Sequence, residues 1–428
     1  MLAQASKILP LSETCAPTTQ AELAEQVQAC FRAGTPMYPL GGGTALHCAP
    51  IGKRPGCGIA TTALTRAVDY PARDLTITVE AGVTVGALQQ TLAAENQFLP
   101  LDVPQSNEAT IGGALAMNVA GPRRFGYGTI RDYVIGISAV DGRGTAFSAG
   151  GRVVKNVAGY DFCKLLVGSL GTLAVVTQVT FKVKPRPAAA AYLVHGLASL
   201  EQAESLAVAV AASRATPVSV NLLTGTAWVE IPELDLPGAP PVARFVVGLE
   251  GTGAEVEWML ATLKGEWQTA GFAVPRTVSE PEACASLRHR LTEFGCDDGS
   301  GPGAGAKSKS PIVLKLTVRP SSVIAVVAEV QRLFPAASVL CHAGGGSLLV
   351  RLDGETPAYE LATPLLQTLH PLATRLGGQC SVWSSPFAGE LTRSVCWGPA
   401  RDSDAMLRRV KETFDPKGLL NPDRFIFG

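Results

Sequence analysis

Neither sign of charge is in surplus in this sequence: 36 Lys and Arg balance 36 Asp and Glu over 428 residues, and charged residues make up only 17%. No basic cluster stands out, which excludes nucleic acid as an expected partner. Paired cysteines are missing as well. The cysteines at positions 15, 30, 48, 57, 163, 284, 296, 341, 380 and 396 form no CxxC pair and no Cys/His cluster at metal spacing. No iron–sulfur cluster, structural zinc or other bound metal is therefore expected in this chain. No run approaches the roughly 18 apolar residues of a membrane span, and MLAQASKILPLSETCAP at the start has no basic segment followed by a long apolar one. These absences predict a cytoplasmic protein with buried, reduced thiols. Two nucleotide signatures are also lacking. Gly41 and Gly43 are followed by Leu46 where GxGxxG needs its third glycine, and Gly52-Lys53 runs into Arg54 rather than a Walker Ser or Thr.

What the chain does have is apolar surface and glycine. Hydrophobic residues are 46% of a chain longer than one core usually accommodates, so about two or three domains are expected. AELAEQVQACFRAG has helical periodicity and a glycine stop, and PMYPL reads as a short buried strand entering the loop PLGGGTALHCAP. DLTITVEAG alternates as a strand, TVGALQQTLAAEN reads as a helix capped by its own threonine, and YVIGISAVDGRGTAFSAGG reads as a hairpin turning at Asp141-Gly142. From about Pro187 apolar strands alternate with amphipathic helices in two β-α-β units, which predicts an antiparallel sheet with helices on one face. GCDDGSGPGAGAKSKSP, from Gly295, has almost nothing to bury and reads as a mobile loop.

Three glycine-bearing segments are the candidate binding elements. In Gly41-Gly42-Gly43-Thr44, consecutive N–H groups can converge on an anion, with the threonine hydroxyl as a further donor. Thr110-Ile111-Gly112-Gly113 opens a helix whose N-terminal amides favour negative charge, and Gly171-Thr172 starts a strand that a flat ring could approach. One glycine triplet alone reads better as a tight structural turn. Three separated segments favour a phosphate-bearing ligand.

PLGGGTAL, PQSNEATIGGALAMN, YGTIRD and KNVAGYDFCKLLVGSLGTLAVVTQVTFKV together resemble the flavin-binding domain of the vanillyl-alcohol oxidase/PCMH superfamily. Within it, AGPRRFGYGTIRDYVIG, GGRVVKNVAGYD and the closing FDPKGLLNPDRF are similar to the FAD-binding E subunit of bacterial glycolate oxidase (glycolate dehydrogenase). The resemblance is specific over residues 35–187 and resumes at the end. It implies an α+β protein: a PCMH-type FAD-binding domain of two α/β subdomains over residues 1–187, and a ferredoxin-like cap over 188–395 for substrate or partner, with the mobile loop near 295–311. Residues 396–428 would return to the FAD domain. The implied cofactor contacts are Pro39, Leu40, Gly41, Gly42, Gly43, Thr44, Ala45, Leu46, Pro104, Gln105, Ser106, Ala109, Thr110, Gly112, Gly113, Asn118, Gly171, Thr172, Leu173, Val175 and Val176. Covalent members place a histidine in or beside the glycine loop. Here that place holds Gly43 and Thr44, His47 reads as an ordinary loop histidine, and FAD is expected to be non-covalent.

The resemblance also bears on chemistry. Related 2-hydroxy-acid dehydrogenases carry HxGDGNxH in the cap, two histidines of which join a later glutamate at a metal. This chain has His342-Ala343-Gly344-Gly345-Gly346-Ser347-Leu348-Leu349, and CSVWSSP where an acidic residue beside histidine is found in those enzymes. A single imidazole cannot supply a divalent site. Arg288 and Lys315 occupy positions of cationic carboxylate-binding residues, with a solvated helix charge and a sheet-edge lysine as their structural readings. Lys155, Tyr160 and Asp161 fall in the flavin-contact region, and His342 is the candidate base. The implied partners are a paralogous FAD-linked catalytic subunit, an iron–sulfur subunit and a small 2-hydroxy acid, with attachment to the inner membrane through partners only. The alternatives are a self-sufficient FAD-dependent dehydrogenase of another 2-hydroxy acid or alcohol, and a flavin-bound scaffold.

Overall fold

A computed structural model describes residues 2–48, 50–151, 160–296, 311–353 and 358–424. Thr19 accepts a hydrogen bond from the Glu22 amide and starts the helix Gln20–Ala33; Gly34, at φ 71°, ends it. Leu23, Val27 and Cys30 form its buried stripe and pack on a parallel three-stranded sheet with Gly56–Ala60 between Leu11–Cys15 and Met37–Leu40. The C-terminal segment extends this sheet: Met37 N–H donates to Leu419 O at 2.7 Å and Asn421 N–H to Met37 O at 2.8 Å.

Beside it stands an antiparallel five-stranded sheet in the order Ala67–Asp69, Thr76–Glu80, Ala174–Lys182, Val134–Asp141, Ala146–Gly150. Helices Val85–Ala93 and Ile111–Met117 share its core through Val85, Leu88, Leu92, Ile111 and Leu115. The expected hairpin forms, with the Asp141 carboxylate accepting from the Arg143 and Thr145 amides in the turn.

The cap sheet has eight antiparallel strands built from two halves of the same βαββαβ order. In the first half, Arg276–Val278, Ala189–Leu197, Ala243–Gly251 and Ser219–Thr224 lie side by side, which is the ferredoxin-like order 4-1-3-2. The second half repeats it in mirror sequence with Ser338–His342, Ser347–Leu352, Ile312–Thr317 and Gln379–Ser384. The halves join where Leu222–Thr224 pairs with Val339–Cys341. Alternation divides the side chains. Leu222, Leu314, Cys341, Leu348 and Val382 enter the helix-covered core, whereas Asn221, Lys315, His342, Leu349 and Trp383 fall on the opposite face. One expectation needs correcting. Helices were expected on one face, yet Pro281–Glu293 covers the opposite face near its first-half edge, because Cys284, Leu287 and Leu291 present a second apolar stripe to Tyr192, Val194 and Val246.

The cap is held to the flavin-domain fold by buried charge. Arg123, only 6% exposed, donates from Nε and Nη2 to Asp102 Oδ1 at 2.9 and 2.7 Å and from Nη1 to Glu250 Oε1 at 3.0 Å. Tyr127 Oη donates to Glu250 Oε2 at 2.7 Å. On the neighbouring helix, both carboxylate oxygens of Glu293 accept the Gln105 amide, at 2.9 and 3.0 Å.

Candidate functional site

Strand Met37–Leu40 delivers the chain into Gly41-Gly42-Gly43, and the reasons for glycine differ along the triplet. A Cβ on Gly41 would collide with Thr110 Oγ1, and one on Gly42 with the Glu108 carbonyl oxygen. Gly43 sits at φ 86°, a left-handed conformation that costs other residues strain. The loop therefore lies directly against residues 108–110. Among the described residues, the amides of Gly41, Gly42, Gly43 and Thr44 donate to no acceptor. Four adjacent donors at one turn suit an anion.

A cavity of about 410 Å³ opens over this loop. Pro39, Leu40, Gly41, Gly42, Gly43, Thr44, Ala45 and Leu46 line it, with Pro104, Gln105, Ala109, Thr110, Gly112, Gly113, Gly171, Val175 and Val176. Ser106, Asn118, Thr172 and Leu173 do not. Thr172 spends its hydroxyl on Ser169 O at 2.7 Å and its carbonyl on Lys411 Nζ at 2.6 Å, and Leu173 belongs to the core of the five-stranded sheet. Asn118 ends helix Ile111–Met117 at φ 49° with its Oδ1 buried and unpartnered among the described residues.

The helix after Thr110 does not serve as the sequence suggested. Ile111 N–H donates to Val83 O at 2.9 Å, Gly112 N–H to Ala81 O at 2.8 Å, and Gly113 N–H to Thr110 Oγ1 at 3.3 Å. Its first amides are consumed by the adjacent strand end and its own cap. The free donors are those of the glycine triplet.

Several lining residues escaped the sequence reading. Arg424 is buried against the loop, with Nη2 donating to Ala45 O at 2.6 Å and Leu46 O at 3.2 Å. Asn421 donates to Leu170 O at 2.8 Å and leaves Oδ1 buried without a described partner. Both belong to NPDRF, quoted above only as a likeness, and their role depends on a return of the chain that spacing does not reveal. His47 and Cys48 also line the cavity. The cap supplies Gly295, Cys296, Pro311, Trp383 and Ser384 as the facing wall.

The candidate catalytic side chains fall in separate places. His342 is buried on the cap face, with Nδ1 2.8 Å from Asn221 Oδ1. Burial first, then the Arg124 charge, pushes its pKa down to about 3, with Lys315 adding to the effect and Asp102 opposing it. It is a neutral imidazole at any ordinary pH. Lys315 stacks its ammonium 4.1 Å from the centre of the Trp383 ring, and burial with the Arg124 charge pushes its pKa down to about 8. None of His342, Lys315 and Arg288 lines the cavity itself: Lys315 meets its wall through Trp383, and Arg288 Nη1 lies 3.7 Å from Glu250 Oε1, at the edge of the Arg123 network. Tyr160 is 88% exposed beside Phe162. Asp161 caps the helix Phe162–Leu166 and pairs with Lys164 at 2.8 Å, while Lys155 lies outside the described residues. Most residues of the loop expected near 295–311 lie outside them as well. Among the described residues, no group of three or more His, Cys, Asp or Glu could hold a metal ion, and no helix is long and apolar enough to cross a membrane.

Comparison with known proteins bears directly on this cleft. Residues 12–150 match the family model described as FAD binding domain, and residues 397–425 match FAD linked oxidases, C-terminal domain. The chain is an FAD-linked oxidoreductase. Its cofactor is FAD. The Bacillus subtilis glycolate oxidase subunit GlcD is 27% identical to this oxidoreductase over 428 residues, covering 96% of this chain and 87% of that one. The Escherichia coli glycolate oxidase subunit GlcE is 34% identical over 215 residues, 49% of this chain and 59% of that one. A D-lactate dehydrogenase of Archaeoglobus fulgidus is 26% identical over 96% of this chain and 90% of its own. Among solved structures, substrate-bound p-cresol methylhydroxylase superposes with a TM-score of 0.71 at 16% identity, covering 99% of this oxidoreductase and 92% of that chain. That likeness bears out the α+β, PCMH-type architecture expected from the sequence.

Proposed function

We propose that this chain is the FAD-binding subunit of a glycolate dehydrogenase (glycolate oxidase) complex, oxidising glycolate to glyoxylate and passing electrons to an iron–sulfur subunit beside a paralogous FAD-linked catalytic subunit. The observation that carries the reading is the cleft itself, with free glycine amides on one wall and the cap's Trp383 on the other, in a chain similar to both GlcD and GlcE. The amides of Gly41 to Thr44 would hold the FAD diphosphate without a covalent link, and Asn421 and Arg424 would close the site from the C-terminal segment. Bound FAD supplies the hydride acceptor. On this chain, Lys315 would hold the substrate carboxylate by charge, and His342 would present Nε2 as the proton acceptor, with Asn221 fixing the ring. Burial first, and then the nearby cations, make His342 a weak base, and no metal is proposed to lower the pKa of the substrate hydroxyl. Turnover by the isolated chain should therefore be slow and insensitive to chelators. In cells the proposed setting is cytoplasmic, attached to the inner membrane only through partners.

The full-length similarity to D-lactate dehydrogenases and GlcD favours a second reading, a self-sufficient dehydrogenase of another 2-hydroxy acid. Purifying the chain alone and then with its partners, and following flavin bleaching by glycolate and by D-lactate under anaerobic conditions, separates the two. Rapid bleaching of the isolated chain by glycolate, abolished by EDTA, would overturn the metal-free complex reading.

A further inference from the structure

Two cations beside this cleft make no ion pair among the described residues; neither lines the cavity itself, and Lys315 reaches its wall through the Trp383 ring. Arg124 begins the short helix Arg124–Tyr127 in the flavin-binding half, and that helix is seated on the cap: Gly126 N–H donates to Val218 O at 3.0 Å, and a Cβ on Gly126 would lie 2.6 Å from Val218 Cα. This docking carries the Arg124 side chain to the turn after His342, where a Cβ on Gly345 would lie 3.5 Å from Arg124 Nε. Lys315 comes from the other direction, on the strand next to that turn, with Leu349 and Ser381 as its cross-strand neighbours. Neither Arg124 nor Lys315 makes a hydrogen bond or ion pair among the described residues. Their surroundings offer little negative charge. Asp132, the carboxylate that acts on Arg124, is occupied through Oδ2 with the Thr129 amide and hydroxyl at 2.7 and 3.0 Å. Lys315 feels Cys48 and the repulsion of Arg124, and His342 feels both cations.

Two half-buried cations of like sign held toward one another are costly unless something anionic comes between them. The structure assigns Arg124 and Lys315 to a single carboxylate clamp, one jaw from each half of the molecule, that takes the acid group of a small 2-hydroxy acid beside His342. Arg124 is thereby a substrate-binding residue distinct from Arg288, whose Nη1 lies 3.7 Å from Glu250 Oε1 at the edge of the Arg123 network. This inference rests on the reading of the cleft as a 2-hydroxy-acid site. It adds a consequence for that site. A bound carboxylate offsets part of the positive charge that, after burial, weakens His342, so the base gains strength when substrate is present.

The test uses the full chain as purified and oxalate, a two-carbon dicarboxylate that cannot be oxidised as a 2-hydroxy acid. Binding is measured by titration calorimetry, which needs no turnover. The expected result is saturable binding by the wild type, weakened about ten- to a hundredfold in Arg124→Met and largely restored in Arg124→Lys, with flavin content unchanged. Gly345→Asp provides an independent arm: it leaves Arg124 in place and sets a carboxylate beside it, so oxalate binding should be lost, while the uncharged Gly345→Asn should retain it. Absence of oxalate binding in the wild type, or unchanged affinity in a folded Arg124→Met, overturns the clamp. If Arg124→Met fails to fold, equal affinity in Gly345→Asp and Gly345→Asn overturns it. Failure of the flavin reading shows separately, as purified chain without FAD or without bleaching by any 2-hydroxy acid.

Discussion

Arg123 Nη1 lies 3.0 Å from Glu250 Oε1, and with this contact the flavin-binding half grips the cap through a pair whose side chains are 7% and 3% exposed. The same guanidinium holds Asp102 at 2.7 Å, so one cation bridges two buried carboxylates belonging to different halves, with Arg288 as a more distant second positive charge. Removing it should leave Asp102 buried without its cation and Glu250 with only Tyr127 and the more distant Arg288, which costs on the order of 3–5 kcal/mol. Arg123→Met is expected to lower the melting temperature by several degrees or to prevent soluble expression, and Arg288→Met, at the exposed edge of the network, to change it little. Differential scanning calorimetry of the two variants decides this.

The same network gives an acid limit. Burial alone would raise the Asp102 carboxyl, but the Arg123 charge and its hydrogen bonds outweigh that and hold it below its ordinary value. A carboxyl depressed in the folded state adds stability above its unfolded pKa, and that contribution is lost as pH falls through the folded value. Stability of the wild type should therefore drop below about pH 4. Asp102→Asn should be less stable at neutral pH and show a flatter acid limb in urea titrations across that range.

Gly42 tests what the glycine loop is for. A Cβ there would meet the Glu108 carbonyl oxygen before any ligand. Gly42→Ala should push the loop off residues 108–110 and lose FAD. Gly43→Ala should cost about 1–3 kcal/mol of strain from its positive φ while keeping part of the flavin. Visible absorbance per mole of purified protein reads both. Full flavin content in Gly42→Ala would contradict the packing.

FAD should leave the wild-type chain intact on acid precipitation, because hydrogen bonds from Gly41 to Thr44 are proposed to hold it and no histidine stands within the triplet. His47 and Cys48, which line the cavity, are the residues to watch. Yellow colour retained in the washed precipitate, and lost in His47→Ala or Cys48→Ala, would show a covalent link through one of them.

How much of this could be read from the sequence depends on the range of the interaction. The glycine triplet, the helix starts at Thr84 and Thr110 and the hairpin at Asp141 are local, and residue type was enough to find them. The split of the cap sheet into a helix-covered face and a face with Lys315 and His342 follows from alternation, once strand pairing is known. What stayed hidden needs long-range return. Arg424 reaches Ala45 across 379 positions, and Glu293 reaches Gln105 across 188. The helix after Thr110 misled because its amides are spent on Ala81 and Val83, a pairing between segments that no local pattern announces.

Lys315 sets the pH range over which the clamp should work. Burial and the nearby Arg124 charge push its pKa down to about 8, against the opposing pull of Cys48. In the free protein the ammonium is charged below that pH and neutral above it, whereas Arg124 keeps its charge throughout and oxalate remains fully ionised. A bound carboxylate favours the charged ammonium, so binding and protonation are linked. Oxalate affinity should be level below about pH 8 and fall by up to about tenfold per pH unit above it. Lys315→Met should bind more weakly and lose the break near pH 8; Lys315→Arg should keep affinity flat to higher pH. Calorimetric titrations at a series of pH values measure this directly, and a break that persists in Lys315→Met would assign the titration to another group and remove the lysine from the clamp.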